Sequence, residues 1–214
     1  MDSITLSGLL PRVFISENIP PSEVWRSPLR FERGKTYLVE AASGGGKSSL
    51  AAFLYGLRDD YEGKLLFNER DTRTYTISDW QETRRRHIAY LPQELALFPE
   101  LTALDNIRLK LALTGDPSES MALKWMERLG MSGRLDYPAG KLSIGQQQRV
   151  ALVRSLCQPF DFILLDEPVS HLDEANNRIA AAIVAEEAAR RGAGVIMTSV
   201  GNPLLLPDAV RLKL

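Results

Sequence analysis

The sequence predicts a mixed α/β fold in which a core of strands and helices carries an inserted block of helices. A short strand, Thr36 to Glu40, leads directly into a glycine-rich loop that a helix-forming stretch follows. Further on, Phe160 to Leu165 is a near-continuous apolar run, which is typical of a parallel strand buried on both faces. Residues 101–156, between these two features, have a helical pattern. Strands that alternate with helices around such a block indicate an α/β core with a helical insertion.

The first part of the chain is predicted to combine short strands with one helix. Residues 1–35 hold short apolar stretches broken by prolines, and we expect a small, mostly antiparallel β region there. Residues 47–57 are rich in good helix formers such as leucine and alanine. Lys64 to Phe67 and His87 to Leu91 are predicted strands, and His87 is interpreted as structural. The basic run Arg84 to Arg86 is interpreted as a solvated face, with contact to a partner or to lipid headgroups as the alternative.

Two helices are predicted in the middle of the chain. Thr102 can cap the first. Its apolar stripe is Ile107, Leu109, Leu111 and Leu113. Asp116-Pro117 starts the second, because proline at an early helical position loses no hydrogen bond. Its stripe is Leu123, Met126 and Leu129, and Gly130 ends it.

The last part of the chain contains the longest predicted helix and two strands. Residues 173–191 have an acidic first turn, two closing arginines and a glycine directly after them, in agreement with the helix dipole and a glycine cap. Residues 195–198 and 209–214 are the predicted strands that follow.

The bulk composition limits the classes of function. With 214 residues and 44% hydrophobic content, the chain can form one globular domain with its own core. Its formal net charge of −1 gives no general attraction for nucleic acid, which is not expected as a partner. Cys157 is the only cysteine, so an internal disulfide is excluded and a reducing compartment is expected. We expect neither a secretory signal nor a membrane-spanning run, so that any membrane role comes through a partner.

The run from Ser43 to Ser48 has the pattern of a phosphate-binding loop. Glycines let backbone N–H groups turn towards phosphate, and the positive end of the following helix points to the same place. Lys47 is expected to reach the β- and γ-phosphates of a nucleoside triphosphate, and the Ser48 hydroxyl to ligate Mg²⁺. The alternative is a turn with an incidental lysine. The predicted nucleotide-binding residues of the loop are Ser43, Gly44, Gly45, Gly46, Lys47, Ser48 and Ser49.

Two segments later in the sequence contain further candidate ligand-binding residues. Residues 142–149, Leu-Ser-Ile-Gly-Gln-Gln-Gln-Arg, begin a helix, and Ser143 with Gln146 forms a capping box that explains the run on structural grounds alone. After the buried strand come Asp166 and Glu167, at the strand end where α/β folds place ligand sites. In isolation, a pair of acids at a strand end is common and has no functional meaning.

Together with residues 90–94, Tyr-Leu-Pro-Gln-Glu, these runs resemble the motifs of the nucleotide-binding subunit of ATP-binding cassette (ABC) systems. The resemblance extends from about Ile4 to the C-terminus. It implies a P-loop NTPase core with a mixed sheet, an N-terminal antiparallel β region and an inserted helical subdomain. It also implies a single domain, with residues 1–92 and 157–214 as the core and residues 93–156 as the helical subdomain.

The resemblance implies a role for each polar group. Asp166 would bind Mg²⁺ through water, and Glu167 would polarise the attacking water. Gln93 would offer its amide oxygen to Mg²⁺ or to that water, with an ordinary loop glutamine as the alternative. The residues expected to contact ATP held by a second subunit are Ser143, Gly145 and Gln146.

Three positions depart from the family pattern. Ala41 stands where the phosphate loop usually opens with glycine, and alanine is penalised if that position needs a positive φ. Ile144 replaces a glycine of the usual Leu-Ser-Gly-Gly-Gln run and puts bulk beside a phosphate contact. Ser199 stands where a histidine usually contacts the γ-phosphate; it can donate one hydrogen bond but carries no charge, and His171 is the alternative candidate for that role. We therefore expect hydrolysis to be slow or to depend on a partner.

Two further contacts follow from the resemblance. The family usually stacks an aromatic side chain of the N-terminal β region on adenine. Phe14 is the first candidate and Trp25 the second, with core packing as the alternative for both. The groove between Gln93 and the helices up to Gly130 is the expected docking place for a cytoplasmic helix of a membrane partner.

The predicted function is that of an ATPase subunit, which hydrolyses ATP to ADP and phosphate. It would dimerise around two Mg-ATP with an identical or a different cassette, and drive a separate permease-like membrane protein from the cytoplasmic face. Residues 97–107 look like the subgroup that serves small exporters and lipoprotein-release or cell-division complexes. The alternative is a low-turnover, ATP-dependent regulatory switch, which Ile144 and Ser199 favour. A chromosome-maintenance or DNA-repair ATPase is disfavoured, because the chain lacks the heptads of long coiled coils.

Overall fold

The computed structural model describes residues 1–16, 21–42 and 44–214, and in these residues it contains two sheets and six α-helices. The strands are β1 (Ser3–Pro11), β2 (Pro28–Glu32), β3 (Thr36–Glu40), β4 (Tyr61–Phe67), β5 (Arg70–Asp71), β6 (Ile88–Leu91), β7 (Phe162–Asp166), β8 (Gly194–Ser199) and β9 (Val210–Lys213). The α-helices are α1 (Lys47–Leu54), α2 (Ile77–Glu82), α3 (Ala103–Thr114), α4 (Glu119–Arg128), α5 (Ile144–Leu156) and α6 (Glu174–Arg191). The predicted α/β fold class, with its antiparallel region and helical insertion, is confirmed.

A parallel sheet in the order β6-β7-β8-β3-β9 lies at the centre of the fold. All five residues of β7 are buried, as expected for an apolar strand with a neighbour on each side. The register pairs Leu165 with Met197 and Asp166 with Thr198 on β8. Because every neighbouring pair in this sheet is parallel, the carboxyl ends of the strands lie along one edge.

The N-terminal region forms a second, antiparallel sheet, as the sequence predicts. Its order is β2-β1-β4-β5. Strand β1 pairs with β2 on one side and with β4 on the other, and a register shift lies between Ser7 and Leu10. Ile4 and Leu6 of β1 are fully buried in the core that the two sheets share.

Helix α1 lies in this shared core. Leu50, Phe53 and Leu54 are buried there among side chains of both sheets. Phe53 makes edge-to-face contacts with Trp25 and Tyr61, at centroid distances of 6.5 and 5.0 Å. Such contacts between large side chains fix the helix, and so the glycine loop before it, against the parallel sheet.

The remaining long helices pack a second core on the opposite face of the parallel sheet. Ile107, Trp125 and Met126 are buried there, together with Cys157. Burial raises the pKa of the Cys157 thiol to about 12, so this side chain stays neutral. The predicted stripe of α3 is wrong at two positions, because Leu109 and Leu113 are 45% and 64% exposed. Helix α3 buries a narrower face than its sequence indicates and leaves these leucines beside a groove.

The ends of α3 and α6 follow the sequence signals. Thr102 and Asp173 cap α3 and α6 by accepting a hydrogen bond from a backbone N–H three residues on. Gly192 adopts the left-handed conformation after α6. Helix α4, however, does not begin at Asp116-Pro117, because Ser118 still has an extended backbone with ψ of 152°. None of the helices in the described residues combines the length and the apolar character needed to cross a membrane.

The basic run before β6 is only partly a solvated face. Arg84 donates hydrogen bonds to the carbonyl oxygens of Tyr55 and Gly56, at 3.0 and 2.5 Å. It therefore satisfies the carboxyl end of α1, which stops at Leu54 instead of the predicted residue 57. The other two arginines of the run are exposed.

His87 does not open β6 as predicted. It closes a π-helical turn that precedes the strand. Its Nδ1 lies 2.6 Å from a carboxylate oxygen of Asp161, which lies 74 residues further along the chain and directly precedes β7. This contact supports the structural interpretation of His87.

The division of the chain at residues 92 and 157 stays a prediction.

The turn after α1 requires glycine at position 56. Gly56 has φ of +69°, and an added Cβ would lie 2.4 Å from the ring of Trp80. Gly115 has the same φ, but an added Cβ would meet nothing within 4 Å. We expect Gly115→Ala to lower the free energy of unfolding by about 1 kcal/mol. Gly56→Ala should lower it by about 1–3 kcal/mol more, because the indole must move.

Urea denaturation followed by circular dichroism measures both variants. Gly115→Ala is the matched control, since it carries the backbone strain without the collision. Equal losses for the two variants would contradict the proposed packing of Trp80 on the turn.

Candidate active site

Polar residues collect along the carboxyl edge of the parallel sheet. The glycine loop follows β3, Gln93 follows β6, Asp166 and Glu167 follow one another at the end of β7, and Ser199 ends β8. These four strands are consecutive in the sheet. Segments that are distant in the sequence therefore meet at one edge, which is where α/β folds bind ligands.

The glycine loop turns sharply into α1. Gly44 and Gly46 have φ of +84° and +94°, which residues with side chains rarely adopt. An added Cβ at Gly45 would lie 2.9 Å from the Cβ of Ala41, so a side chain does not fit there. Gly44 and Gly46 are therefore required by their backbone conformation, and Gly45 by the lack of space for a side chain. Ser43, another predicted phosphate contact, lies outside the described residues.

Lys47 is buried inside the turn of this loop. Its Nζ donates hydrogen bonds to the carbonyl oxygens of Ala41 and Ala42, at 3.2 and 3.1 Å. These two neutral acceptors satisfy the buried ammonium group. Because hydrogen bonds between charged groups are stronger, the flexible side chain can exchange them for phosphate oxygens.

Ala41 does not disturb the loop. It lies outside the left-handed region of backbone conformation, so the residue needs no glycine. Its N–H donates to the carbonyl oxygen of Ser199 at 3.4 Å, which ties the loop to β8. Alanine at this position is therefore not penalised for a positive φ.

The two serines at the start of α1 have different surroundings. Ser48 is exposed, so its hydroxyl is accessible to a ligand in front of the loop. The Oγ of Ser49 accepts a hydrogen bond from the Arg58 guanidinium at 3.1 Å. Ser48 is therefore the better placed of the two for a cation, and the binding role of each stays a prediction.

Asp166, Glu167 and Thr198 form a hydrogen-bonded unit between β7 and β8. The buried Asp166 carboxylate accepts a hydrogen bond from the Thr198 hydroxyl at 2.5 Å. The same hydroxyl oxygen accepts from the backbone N–H of Glu167 at 3.3 Å. Burial, and after it the charge of Asp166, raise the pKa of Tyr90 on the adjacent strand, so that phenol stays neutral.

The backbone of Glu167 has φ of +50°, a conformation that concentrates at functional sites when a side chain is present. Thr198 holds this strained residue and its acidic neighbour in place. Sequence reasoning missed Thr198, because its pairing with Asp166 depends on the order of the strands. The one signal in the sequence is its position directly before Ser199.

Helix α5 begins with the predicted capping box. The N–H of Gln146 donates to the Ser143 Oγ at 3.3 Å, and the N–H of Ser143 donates to the Gln146 Oε1 at 3.0 Å. Ile144 opens the helix with an ordinary helical backbone and is 49% exposed. An added Cβ at Gly145 would lie 2.8 Å from the carbonyl oxygen of His171. Glycine is therefore required where the start of α5 touches the loop after β7.

Three further predicted residues differ in exposure. Gln93 is exposed in the loop after β6. Ser199 is buried, and its Oγ accepts a hydrogen bond from the N–H of Gly201 at 3.1 Å, which leaves its own hydrogen for a ligand. His171 is exposed, and its Nδ1 lies 2.9 Å from the Ser170 hydroxyl. Their catalytic roles stay predictions.

Two aromatic side chains cover the loop from the N-terminal region. Trp25 is 3% exposed, and its Nε1 donates to the carbonyl oxygen of Gly45 at 3.1 Å. An added Cβ at Gly46 would lie 2.9 Å from the ring of Phe14 and 3.1 Å from that of Trp25. Trp25 is too buried to stack on adenine and instead supports the loop. Phe14 is half-buried beside the loop and stays the candidate for adenine stacking.

Comparison with known proteins matches residues 26–170 to a family described as ABC transporter. A macrolide export ATP-binding/permease protein, MacB 1 of Aeromonas hydrophila, is 37% identical over 148 residues, which cover 68% of this chain and 23% of that protein. An uncharacterized ABC transporter ATP-binding protein, YbbA of Escherichia coli K12, is 35% identical over 153 residues, covering 70% of this chain and 67% of that protein. This chain therefore spans about a quarter of the length of the first of these relatives.

Solved structures agree with the family match. The dimeric structure of MJ0796, a bacterial ABC transporter cassette, has a TM-score of 0.78 and 25% identity, and the alignment covers 92% of this chain and 87% of that one. A dimeric post-hydrolysis state of the same cassette, bound to ADP and Pi, has a TM-score of 0.77 and 22% identity, over 93% and 88% of the two chains. The second likeness supports the fold alone.

The hydroxyl of Thr198 has a testable role. Thr198→Val keeps the shape of the side chain but leaves the buried Asp166 one hydrogen bond short. We expect the free energy of unfolding to fall by about 1–3 kcal/mol. Thr198→Ser keeps the hydroxyl and should lose less than half as much. Chemical denaturation measures both variants, and a Val variant as stable as the Ser variant would contradict this role.

The indole of Trp25 is expected to tether the glycine loop. Trp25→Phe keeps an aromatic ring but removes the donor to Gly45, so the loop loses part of its order before ligand binding. We expect the affinity for a fluorescent ATP analogue to fall by about two- to tenfold, the equivalent of one hydrogen bond. Trp125→Phe is the matched control, since this equally buried tryptophan lies in α4. Equal affinities for the two variants would contradict the tether.

Proposed function

The chain belongs to the ABC transporter family as a nucleotide-binding ATPase cassette, and from this we propose that two cassettes enclose two Mg-ATP and drive a separate membrane protein. Family membership rests on the match over residues 26–170. The composite site, the metal ion and the membrane partner are the proposed part.

One observation carries the proposal: the glycine loop and the Asp166–Glu167 pair share the carboxyl edge of the parallel sheet. The loop offers backbone N–H groups and the ammonium of Lys47, which suit phosphate. The acidic pair offers carboxylates, which suit a metal ion and a water molecule. A triphosphate held by the loop would place its terminal phosphate between the Lys47 ammonium and the two carboxylates.

The oxygen donors at this edge fit Mg²⁺. Ser48 offers an exposed hydroxyl, Asp166 a buried carboxylate, and Gln93 an exposed amide. Such oxygen donors are the ligands that Mg²⁺ prefers. We assign Ser48 to direct contact, Asp166 to contact through water, and Gln93 to the ion or the attacking water. When bound, the ion would neutralise phosphate charge.

Glu167 is the proposed acceptor for the attacking water. Phosphoryl transfer needs mainly positioning and charge neutralisation, together with one acceptor directed at the nucleophile. The carboxylate of Glu167 would polarise the water, while Lys47 would stabilise the negative charge on the β- and γ-phosphates. Ser199 would donate its hydroxyl hydrogen to a phosphate oxygen, without the charge of a histidine.

The start of α5 is the proposed contact with the nucleotide of the second cassette. Ser143 and Ile144 are exposed, and the positive end of the helix dipole faces outwards with them. Gly145 and Gln146 complete this surface. Because Ile144 keeps a helical backbone, its effect would come from its bulk and not from a distorted loop.

A groove beside α3 is the proposed docking place for the membrane partner. It has a volume of about 510 Å³. Its rim carries the exposed apolar side chains of Phe98, Leu109 and Leu113, and Lys110 and Arg154 lie among its lining residues. An exposed apolar surface next to such charges is typical of protein contacts. The partner would be a permease-like protein of an export, lipoprotein-release or cell-division system.

A low-turnover switch is the second candidate. Ser199 favours it, because a buried serine bonded to Gly201 replaces the charged group that usually contacts the γ-phosphate. Such a module would bind ATP, dimerise and signal through its partner. The intact arrangement of Lys47, Asp166 and Glu167 argues for hydrolysis.

Phosphate release at increasing protein concentration tests the proposal. With Mg-ATP, we expect a rate that rises faster than linearly, because two chains form each site. We also expect a turnover well below about 10 per second, the median for enzymes, because Ile144 and Ser199 weaken the site. Glu167→Gln should abolish release, whereas Glu174→Gln, at an exposed acid of α6, should not.

Each alternative gives a different result. Equal phosphate release by wild type and Glu167→Gln, with ATP still bound, would favour the switch or a need for the membrane partner. A turnover of tens per second by the isolated chain would contradict the proposed weakening of the site.

A further inference from the structure

We propose that Gln148 is a positioning residue that fixes the backbone of Glu167 and the following loop to helix α5. This inference rests on the proposed function, because it concerns the residue assigned to the attacking water. Gln148 lies on the buried face of α5 and is 1% exposed. Its amide nitrogen and oxygen are both bonded to groups of the protein, so its role is not direct contact with nucleotide.

Every polar atom of the Gln148 amide is used on the loop after β7. Its Nε2 donates to the carbonyl oxygen of Glu167 at 3.1 Å and lies 3.2 Å from the Ser170 hydroxyl. Its Oε1 accepts from the backbone N–H of His171 at 2.9 Å. One side chain therefore holds a loop at three points along five residues.

These contacts matter because the loop begins with a strained residue. Glu167 has φ of +50°, and such a conformation persists only where the surroundings hold it. The Thr198 hydroxyl accepts a hydrogen bond from the N–H of Glu167, and the Gln148 amide donates one to the Glu167 carbonyl oxygen. The peptide groups on both sides of Glu167 are thus fixed by side chains of two different elements, and the direction of its carboxylate is set by both.

Gln148 also joins two parts of the proposed composite site. It lies one turn after Gly145, whose Cα approaches the carbonyl oxygen of His171 so closely that only glycine fits. The start of α5 and the loop that carries Glu167 are therefore in direct contact through Gly145 and Gln148. Contact of α5 with nucleotide in the second cassette would be transmitted through Gln148 to the carboxylate in its own cassette.

A purely structural glutamine is the competing interpretation. It would stabilise the fold by satisfying buried polar groups, with no separate effect on the water-activating residue. The contacts favour positioning, because all three partners lie between residues 167 and 171 and none lies in the second core. The two interpretations predict different changes in rate and in loop protection.

The test compares Gln148→Met with Gln147→Met in the full chain. Methionine is close in size to glutamine but makes none of the three hydrogen bonds. Gln147 is the matched control, because it is the preceding residue of α5 and, within the described residues, its amide bonds only to the carbonyl oxygen of Leu142, at 2.9 Å. Both variants are measured by hydrogen exchange of the 167–172 segment, and by single-turnover phosphate release with protein in excess of Mg-ATP.

For Gln148→Met we expect amide exchange in the 167–172 segment to accelerate by about tenfold, with the strands of the core unchanged. The single-turnover rate at saturating protein should fall by at least about tenfold, because a small misplacement of a reacting group is costly. The protein concentration for half-saturation should stay within about twofold of wild type. Gln147→Met should resemble wild type in all three measurements.

Two results would overturn the inference. Unchanged exchange in the segment would mean that Gln148 does not hold the loop. Accelerated exchange with an unchanged rate would reduce Gln148 to a structural residue. If wild type releases no phosphate even in a single turnover, the proposed hydrolysis fails, while the exchange data still decide whether Gln148 fixes the loop.

Discussion

The buried hydrogen bond between Asp166 and Thr198 is the interaction on which the rest of the site depends. It joins the carboxyl ends of β7 and β8 in the centre of the parallel sheet, where both side chains are shielded from water. The same threonine hydroxyl accepts a hydrogen bond from the backbone N–H of Glu167, so one group sets the position of both acids. A buried carboxylate is costly without such a partner, which ties the stability of the sheet to the geometry of the site.

The two cores hold the two halves of the site separately. Helix α1 packs between the sheets, and Trp25 and Phe53 fix the glycine loop from that side. Helix α5 belongs to the other core, and Gln148 holds the loop after β7 from there. The parallel sheet lies between the cores and is the common element. The proposed phosphate binding and the proposed water activation would therefore be supported by different packing, so that a substitution could affect one without immediate loss of the other.

The departures from the family pattern have unequal consequences. Ala41 lies in an ordinary backbone conformation, so the loss of a glycine has no structural effect there. Ile144 keeps the helix start intact and changes only the surface that a second cassette would meet. Ser199 is the substantial change, because it removes charge from the end of β8 and is itself bonded to Gly201. In the proposed mechanism, the balance between an efficient ATPase and a slow switch therefore depends more on Ser199 than on the other two positions.

The sequence by itself determined the existence of the longer helices, the glycine loop, the capping box and the acidic pair, because each depends mainly on residues close in the chain. Thr102, Asp173 and Gly192 mark helix ends for the same reason. Thr198 and Gln148 were not identified as parts of the site, and Trp25 was named only as a candidate for adenine stacking, since their partners are distant in the chain and meet only when strands and helices pack. The exposure of Leu109 and Leu113 was likewise decided by the tertiary structure, because helical periodicity shows an apolar face but not how much of it a neighbour covers.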